Sequence, residues 1–289
     1  DPTRFQTVGF GLGALSDDAN LVFQKCMDRW HDLTAIDPLT LKAMVGAEEI
    51  DILIDASGFA TPDQLIAFGN RMAPCQVSWM GAPAGTGLAA MDYVLTDTVL
   101  DPDAGAGLSE RLAPLVLGAI VASPQARQGD DMPARVPGGI VFAADALAAE
   151  INPATAALWA RILHRVPRSV LILRDHAYRA GAGLDRLIGL FGDFGVAHRV
   201  DIVADAMPTR FFGGADVALM PLPMPRPQSA VEALWGGCPA ICLSGPARHT
   251  RLAASLLHHA GFGGEEAAMI AGDEQSYVCL LYTSDAADE

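Results

Sequence analysis

Positive charge is scarce in this sequence. Lys and Arg number 19 against 34 Asp and Glu, which leaves a formal net charge of −15. Nonspecific binding to nucleic acid depends on Lys and Arg contacts to phosphate, and an anionic membrane surface attracts the same cations. We therefore expect neither a nucleic acid nor a membrane as a partner.

Long apolar runs are also absent. No run approaches the roughly 18 residues that a membrane-spanning helix needs, and no secretory signal peptide is recognisable. The sequence begins with Asp1 rather than Met, so we expect the natural chain to extend further upstream.

Cysteines are few, and their spacing is not that of a metal site. They lie at positions 26, 75, 238, 242 and 279. They form no CxxC pair of the kind that holds zinc, and they stand in apolar contexts in an odd number. We expect buried free thiols, no metal site and a reducing, cytoplasmic location.

The chain is long and apolar enough for two globular domains. Its 289 residues are 51% hydrophobic and 18% charged,. Apolar runs typical of buried parallel strands alternate with segments of helical periodicity. Predicted strands cover 5–10, 50–54, 76–79, 93–96, 140–143, 169–173, 200–203, 217–219 and 239–243. Predicted helices cover 17–30, 39–45, 62–71, 152–165 and 184–194, with two more that begin near residues 229 and 250.

Repeated strand–helix units predict an α/β fold of two doubly wound parallel sheets, each Rossmann-like. Residues 124–139 are polar and rich in Pro and Gly, which is typical of a linker,. This linker separates an N-terminal half, 1–123, from a C-terminal half, 140–278. Ligands of such sheets bind beyond the carboxyl ends of the strands, and we expect a site in a cleft between the two domains.

The most informative stretch is 216–261, where a strand, a loop and a helix start occur twice. Backbone N–H groups at a helix start, together with the helix dipole, attract phosphate. A carboxylate one turn into the first helix, Glu232, is suited to the hydroxyls of a ribose. The pattern indicates a nucleotide site.

A dinucleotide-binding oxidoreductase is a rival interpretation. Gly9, Gly11 and Ala14 satisfy GxGxxA after a strand, and Asp37 follows at about the right distance,. Against this, Ser16 begins what looks like a new helix cap rather than the continuation of a helix,.

Three motifs of the sequence are distinctive. The first is EALWGGCP at 232–239, followed by ASLL at 254–257. The second is APCQVSWMGAPAGTG at 73–87 with MDYVLTD at 91–97. The third runs from Asn152-Pro153 through LWARIL at 158–163 to Val166-Pro167. Together they resemble the catalytic region of the O-GlcNAc transferase and SPINDLY-type glycosyltransferases, and they occur in the family's order.

The resemblance implies a GT-B fold and an inverting, metal-independent transfer of a sugar from a nucleotide diphosphate, UDP-linked, to Ser or Thr of a protein acceptor. In the family, a His-Pro motif and helical tetratricopeptide repeats precede the region matched here. Residues 279–289 match nothing in the family and resemble a translated adapter, so we expect a non-native, frayed tail there,.

The resemblance also assigns donor-binding residues. Glu232 matches the carboxylate that holds the ribose, although Ser229-x-x-Glu232 is equally a capping box,. Arg226, Gln228 and Ser229 stand where the family has NGGTTT beside the diphosphate, and Arg226 is otherwise an exposed loop cation. Glu150 replaces a phosphate-contacting Lys, which is electrostatically adverse,.

Further assignments concern the last helix and the wall of the cleft. Arg251 matches an Arg of the last helix, where it faces phosphate or carboxylates or serves as a structural tie. Two loops with counterparts in the family are predicted to form the wall of the cleft. Without the resemblance, each would be interpreted as an ordinary loop that follows a strand. Its predicted members are Gly58, Phe59, Gly81, Pro83 and Thr86.

Several family side chains are replaced. Phe59 and Ala60 stand where the family has His and Thr, and Met220 stands for an Asp. No residue, including the seven histidines, qualifies as a catalytic base. A catalytically silent binding module on the same scaffold is therefore the second interpretation.

Overall fold

The computed structural model describes residues 3–12, 17–33, 36–103, 107–124, 139–174, 182–203, 208–264 and 269–283. The chain forms two compact units. The first comprises Asp1–Thr96 and Asp103–Leu115, and the second comprises Asp97–Pro102 and Val116–Glu289. The second unit thus includes 97–102 and 116–123, which the sequence assigns to the first half. Residues 125–138 of the predicted linker lie outside the described residues.

The first unit contains two parallel sheets. Strands β1 (Val8–Gly11) and β2 (Arg29–Asp32) form one sheet. The other has the order β3-β4-β5-β6, with β3 at Ile52–Asp55, β4 at Cys75–Ser78, β5 at Tyr93–Thr96 and β6 at Arg111–Pro114. The helices are α1 (Asp17–Cys26), α2 (Pro38–Ala47) and α3 (Pro62–Phe68). Leu41, Val45, Leu53 and Phe68 are among the residues of its core.

Two sequence predictions fail in this unit. The helix expected over 17–30 ends at Cys26, because Arg29 to Asp32 pair in register with β1 instead. Strand β6 was not predicted, since Arg111–Pro114 is an edge strand whose arginine and proline interrupt any apolar run,. Both outcomes depend on a partner strand that is distant in the sequence.

The second unit is built on one six-stranded parallel sheet of order β12-β11-β10-β7-β8-β9. Its strands are β7 (Val141–Asp145), β8 (Val170–Arg174), β9 (Val200–Val203), β10 (Val217–Leu219), β11 (Ala240–Leu243) and β12 (Ile270–Ala271). The helices are α4 (Pro153–Arg165), α5 (Ala182–Gly192), α6 (Pro208–Gly213), α7 (Pro227–Trp235), α8 (Leu252–Leu257) and α9 (Glu274–Thr283).

Both faces of this sheet are covered, as the doubly wound prediction requires. Phe142 and Ala144 point into a core that includes Trp159 and Phe191, on the face of α4, α5 and α9. Val141 and Ala143, in turn, belong to the core on the face of α6, α7 and α8. Alternate residues of one strand thus bury apolar surface on opposite faces, which explains why 141–144 of β7 are all apolar,.

The start of α4 forms as the sequence predicts. Pro153 occupies the first helical turn, and the side chain of Asn152 accepts a hydrogen bond from the Thr155 amide at 2.9 Å. A proline loses nothing there, because the first amides of a helix have no partner within it.

The fraying expected from Cys279 is wrong as far as Thr283. Helix α9 continues to that residue, and Tyr277, Val278 and Leu281 are buried in the same core as Trp159. Burying an aromatic or a leucine side chain contributes roughly 1.5–3 kcal/mol, so this packing holds the helix in place.

Candidate functional site

The strand order of the second unit defines where a ligand would lie. In the order β12-β11-β10-β7-β8-β9, the direction of winding reverses between β7 and β10. Loops that leave the carboxyl ends of two such strands diverge and leave a crevice, which is the usual ligand site of a doubly wound sheet. The loop after β7 carries Glu150, and the loop after β10 leads into α7 with Arg226, Gln228, Ser229 and Glu232.

Helix α7 begins three residues earlier than the sequence suggests. Its N-cap is Arg226, with φ −82° and ψ 116° and no capping hydrogen bond from its side chain, and Pro227 is the first helical residue. A residue before proline is restricted to extended backbone, which explains why the helix starts there. The capping-box interpretation of Ser229 and Glu232 is therefore wrong.

Ser229 joins α7 to the end of β7. Its side chain is buried, and its hydroxyl donates to Oδ2 of Asp145 at 3.2 Å and lies 3.3 Å from the Asp145 carbonyl oxygen. Asp145 also accepts a hydrogen bond from Arg174 at 2.7 Å, in a pair whose side chains are 13% and 14% exposed. Sequence reasoning missed Asp145; the only signal was an acidic residue at the end of an apolar strand.

Gln228 and Glu232 are one turn apart and in contact. Nε2 of Gln228 donates to Oε1 of Glu232 at 2.7 Å and to the Ser123 carbonyl at 2.8 Å. Glu232 itself is buried, with 1% of its surface exposed. A ribose that reached this carboxylate would have to displace or extend the contact with Gln228.

The loop after β7 is tied down by its own contacts. Oε2 of Glu150 accepts a hydrogen bond from the Leu147 amide at 2.8 Å. The guanidinium of Arg186, on α5, donates to the carbonyls of Ala148 and Ile151, both at 3.0 Å. Glu150 is thus held on a defined loop, and its Oε2 lies 3.9 Å from Nη1 of Arg226.

The loop before α7 is anchored to α4. The Leu222 carbonyl accepts hydrogen bonds from Asn152 Nδ2 at 2.8 Å and from the Thr155 hydroxyl at 2.9 Å. Met220, at the start of this loop, is fully buried in the core of the α7 face. Its burial explains why an apolar residue is tolerated where the family has an acid.

Arg251 serves as a structural tie. Its Nε donates to the Gly245 carbonyl at 2.8 Å, and its Nη1 donates to the Leu100 carbonyl at 3.2 Å. The bond to Leu100 fastens 97–102 to the start of α8, and the bond to Gly245 fixes the loop after β11. A role of Arg251 in donor binding stays a prediction.

Asp97 is the centre of a second buried cluster in this unit. It accepts hydrogen bonds from the Ser255 hydroxyl at 2.6 Å and from the amides of Ala119, Leu100 and Val99, each at 2.9 Å. Burial alone would raise the pKa of Asp97, but these hydrogen bonds outweigh it and hold the pKa below its usual value,. Ser255, matched to the family's last helix, thus has a structural partner.

In the first unit, the loops after β3 and β4 touch through glycines. The Phe59 amide donates to the Gly81 carbonyl at 3.1 Å. A Cβ on Gly58, whose φ is +51°, would lie 2.2 Å from the Gly81 carbonyl carbon. Both carboxylate oxygens of Asp55 accept the Gly58 amide, and Phe59 is 56% exposed. Three predicted wall residues, Gly58, Phe59 and Gly81, are therefore neighbours.

Thr86 is already bound by a residue that the sequence did not reveal. Its amide and hydroxyl both donate to Oε1 of Glu110, at 2.6 and 2.5 Å. Burial tends to raise the pKa of Glu110, but the bonds from Thr86 and Ser109 keep it below its usual value. Pro83 lies in the same loop and is partly buried.

The dinucleotide fingerprint has structural explanations. Gly9 lies inside β1, and a Cβ there would come within 2.3 Å of the Trp30 ring. The Asp37 carboxylate caps α2 by accepting the amides of Leu39 and Thr40, at 3.0 and 3.1 Å. Residues 13–16, where a dinucleotide helix would begin, lie outside the described residues.

The expectation of buried cysteines holds only in part. Cys238 and Cys242 are buried free thiols, Cys75 is partly buried, and Cys26 and Cys279 are exposed. Burial raises the pKa of the Cys242 thiol to about 12, which keeps it protonated and unreactive,. In the described part of the chain, no helix has the length and apolar character to cross a membrane.

Comparison with known proteins supports the resemblance in the sequence. The chain matches glycosyl transferase family 41 over residues 14–125 and 119–286. The probable UDP-N-acetylglucosamine--peptide N-acetylglucosaminyltransferase SPINDLY of Arabidopsis thaliana is 30% identical over 294 residues, which is 97% of this chain and 32% of that protein. The probable transferase SEC of the same plant is 28% identical over 82% of this chain and 25% of its own length. The chain thus spans about a third or less of these relatives.

Solved structures agree with the sequence comparison. An O-GlcNAc transferase mutant from Thermobaculum terrenum aligns with a TM-score of 0.83 at 27% identity, over 97% of this chain and 60% of that one. Anabaena Alr3699/HepE, in complex with UDP and glucose, shares the fold with a TM-score of 0.53 at 13% identity, over 96% and 88% of the two chains. The fold is of the GT-B type, and the chain belongs to glycosyl transferase family 41.

Proposed function

We propose that the protein containing this chain transfers a sugar from a UDP-linked donor to Ser or Thr of a protein acceptor. The observation that carries the proposal is the start of α7 at the switch point of the sheet, where Gln228 contacts Glu232 and Ser229 is bonded to Asp145 at the end of β7. The names of the SPINDLY and SEC relatives make UDP-N-acetylglucosamine the first donor to test and a peptide the first acceptor.

Three features support donor binding at this turn. A phosphate can accept the amides of Gln228 and Ser229, since α7 has no side-chain cap,. The side-chain amide of Gln228 lies one turn before Glu232 and can donate a hydrogen bond to the donor. Glu232 has a carboxylate suited to the hydroxyls of a ribose. The loops on either side are anchored by Arg186, Asn152 and Thr155, so the site would be largely preformed,.

The proposed partners are a nucleotide sugar and a protein acceptor, with neither nucleic acid nor membrane, and the proposed location is the cytoplasm. The excess of acidic residues supports the exclusions, and the five free thiols support a reducing compartment,. Departure of a nucleoside diphosphate would be assisted by helix-start amides and cations placed where negative charge develops.

A catalytically silent binding module is the second candidate. It is favoured by the carboxylate of Glu150 beside the proposed diphosphate position and by Phe59 and Ala60, which offer no acid or base where the family has His and Thr. Such a module would keep the scaffold without carrying out the transfer.

Two measurements separate these functions. Calorimetric titration of the full chain with UDP, with ADP as the control nucleotide, tests the donor site, and we expect micromolar UDP binding with preference over ADP. Release of UDP from UDP-N-acetylglucosamine, with and without a Ser-containing peptide, then tests transfer. Absence of UDP binding would contradict the proposal. Binding without release under either condition would favour the silent module.

A further inference from the structure

We propose that Arg226 is the specificity-determining cation for the donor diphosphate, and that Glu150 opposes diphosphate binding and competes for the same guanidinium. This inference rests on the proposed function and names the residue that makes the site selective for a diphosphate. The charges that surround the start of α7 support it.

The backbone presents Arg226 rigidly at the helix start. It lies between Pro225 and Pro227, and its φ of −82° and ψ of 116° are the extended values that a following proline imposes,. The loop before it is fixed to α4 through the Leu222 carbonyl. The side chain of Arg226 therefore starts from the N-cap position, next to helix amides that it does not itself cap.

Arg174, at the end of β8, and Arg226, at the start of α7, differ in their contacts. Arg174 is held by Asp145 at 2.7 Å, and both side chains are largely buried, at 14% and 13% exposed. Arg226 is 34% exposed, and its contact with Glu150, at 3.9 Å, is longer than a hydrogen bond,. The Glu150 side chain is 18% exposed, so the pair is partly buried, but its two charged groups are too far apart for a hydrogen bond. Arg226 can therefore turn to a phosphate while Arg174 stays with Asp145.

The charged groups near the start of α7 make Arg226 important for binding a diphosphate. Asp145 pairs with Arg174, whereas the carboxylates of Glu150 and Glu232 lie near the start of α7, and Arg226 is the cation that faces Glu150. A diphosphate placed here without Arg226 would meet the helix amides and the Glu150 carboxylate without the cation that faces it. With Arg226 it gains a planar donor that can bind phosphate oxygens in a bidentate manner.

Glu150 opposes the diphosphate directly. The oxygen that faces Arg226, Oε2, is the one that accepts the Leu147 amide. A glutamine at this position keeps an acceptor for that amide and removes the negative charge. Glu150→Gln therefore isolates the electrostatic effect from the shape of the loop.

The test is titration of the full chain with UDP and with uridine at low salt. Relative to the wild type, Arg226→Met should weaken UDP binding about tenfold or more, since it removes a charge-assisted phosphate contact, and should leave uridine binding unchanged. Arg226→Lys should retain part of the UDP affinity, because it keeps the positive charge but loses the bidentate geometry. Glu150→Gln should tighten UDP binding severalfold. Arg161→Met, in which an exposed arginine of α4 is lost, is the matched control and should bind UDP like the wild type.

A charge exchange provides an independent check. Arg226→Glu should abolish UDP binding, and adding Glu150→Arg to it should restore part of the affinity, because the two side chains face each other. Equal UDP affinity of the wild type and Arg226→Met, or no tightening by Glu150→Gln, would overturn the inference and leave the proposed donor site standing. A wild type that binds no UDP would overturn both. If the thermal midpoint shows that Arg226→Met does not fold, the UDP affinities of Glu150→Gln and Arg226→Lys test the inference in its place.

Discussion

The hydroxyl of Ser229 donates to Oδ2 of Asp145 across 3.2 Å, which fastens the first turn of α7 to the carboxyl end of β7. The same carboxylate accepts Arg174, from the end of β8, at 2.7 Å. One acidic side chain thus links a helix and two strands at the switch point of the sheet. This link holds the start of α7, where the proposed donor site lies, against the end of β7.

Loss of Arg174 should cost stability. Arg174→Met leaves Asp145 largely buried without its counter-ion, so the free energy of unfolding should fall by about 2–3 kcal/mol in urea denaturation,. Arg161→Met is the control, because Arg161 and Glu274 are 46% and 59% exposed and such a pair is worth under about 1 kcal/mol,. Similar losses for the two variants would show that the pair at Asp145 is not special.

Replacing Glu232 should weaken the binding of the ribose. Glu232→Gln should weaken UDP binding about tenfold, because hydrogen bonds to a charged carboxylate are stronger than those to an amide. The variant should also lose most of the preference for UDP over its 2′,3′-dideoxy analogue, measured by calorimetry. Glu274→Gln, at an exposed glutamate of α9, should change neither. A preference retained by Glu232→Gln would place the ribose elsewhere.

Gly58 should not tolerate a side chain. A Cβ there meets the Gly81 backbone at 2.2 Å, and φ is +51°, so Gly58→Ala should lower the free energy of unfolding by about 2–3 kcal/mol,. Gly46→Ala, in α2, has open space around the new methyl group and should be neutral or stabilising by up to about 1 kcal/mol,. Guanidinium denaturation of both variants gives the comparison. A tolerant Gly58 would mean that the loops after β3 and β4 separate readily.

Acid should weaken the cluster around Asp97. Its pKa is lower in the folded chain than in the unfolded chain, so its contribution is fully present above the unfolded pKa, about 3.9, and is lost as the pH falls through the folded pKa,. Ser255→Ala removes one stabilising hydrogen bond and raises the folded pKa toward the unfolded one. We expect a loss of about 1 kcal/mol at pH 7 and a shallower decline of unfolding free energy below pH ~4. Denaturation curves from pH 7 to 3 test this, and parallel declines in both proteins would contradict it.

Part of the site could be predicted from the sequence. The positions of Gln228, Ser229 and Glu232 near the start of a helix followed from the strand–loop–helix pattern and the family motif. The true start at Arg226 did not, because Ser229-x-x-Glu232 imitates a capping box while Pro227 sets the actual boundary. The roles of Asp145 and Glu110 were also hidden, since their partners lie 84 and 24 residues away in the sequence.

The sequence by itself determined the class of fold, the family and most strands and helices, because periodicity and local capping depend on near neighbours in the chain. Asn152-Pro153 at the start of α4 is one example. Only the tertiary structure decided that Arg29–Asp32 is a strand, that α9 extends to Thr283, and that Asp145 joins Ser229 to Arg174. These features depend on which distant segments the sheet order brings together, and hydrogen bonds and burial at such contacts outweigh local preference.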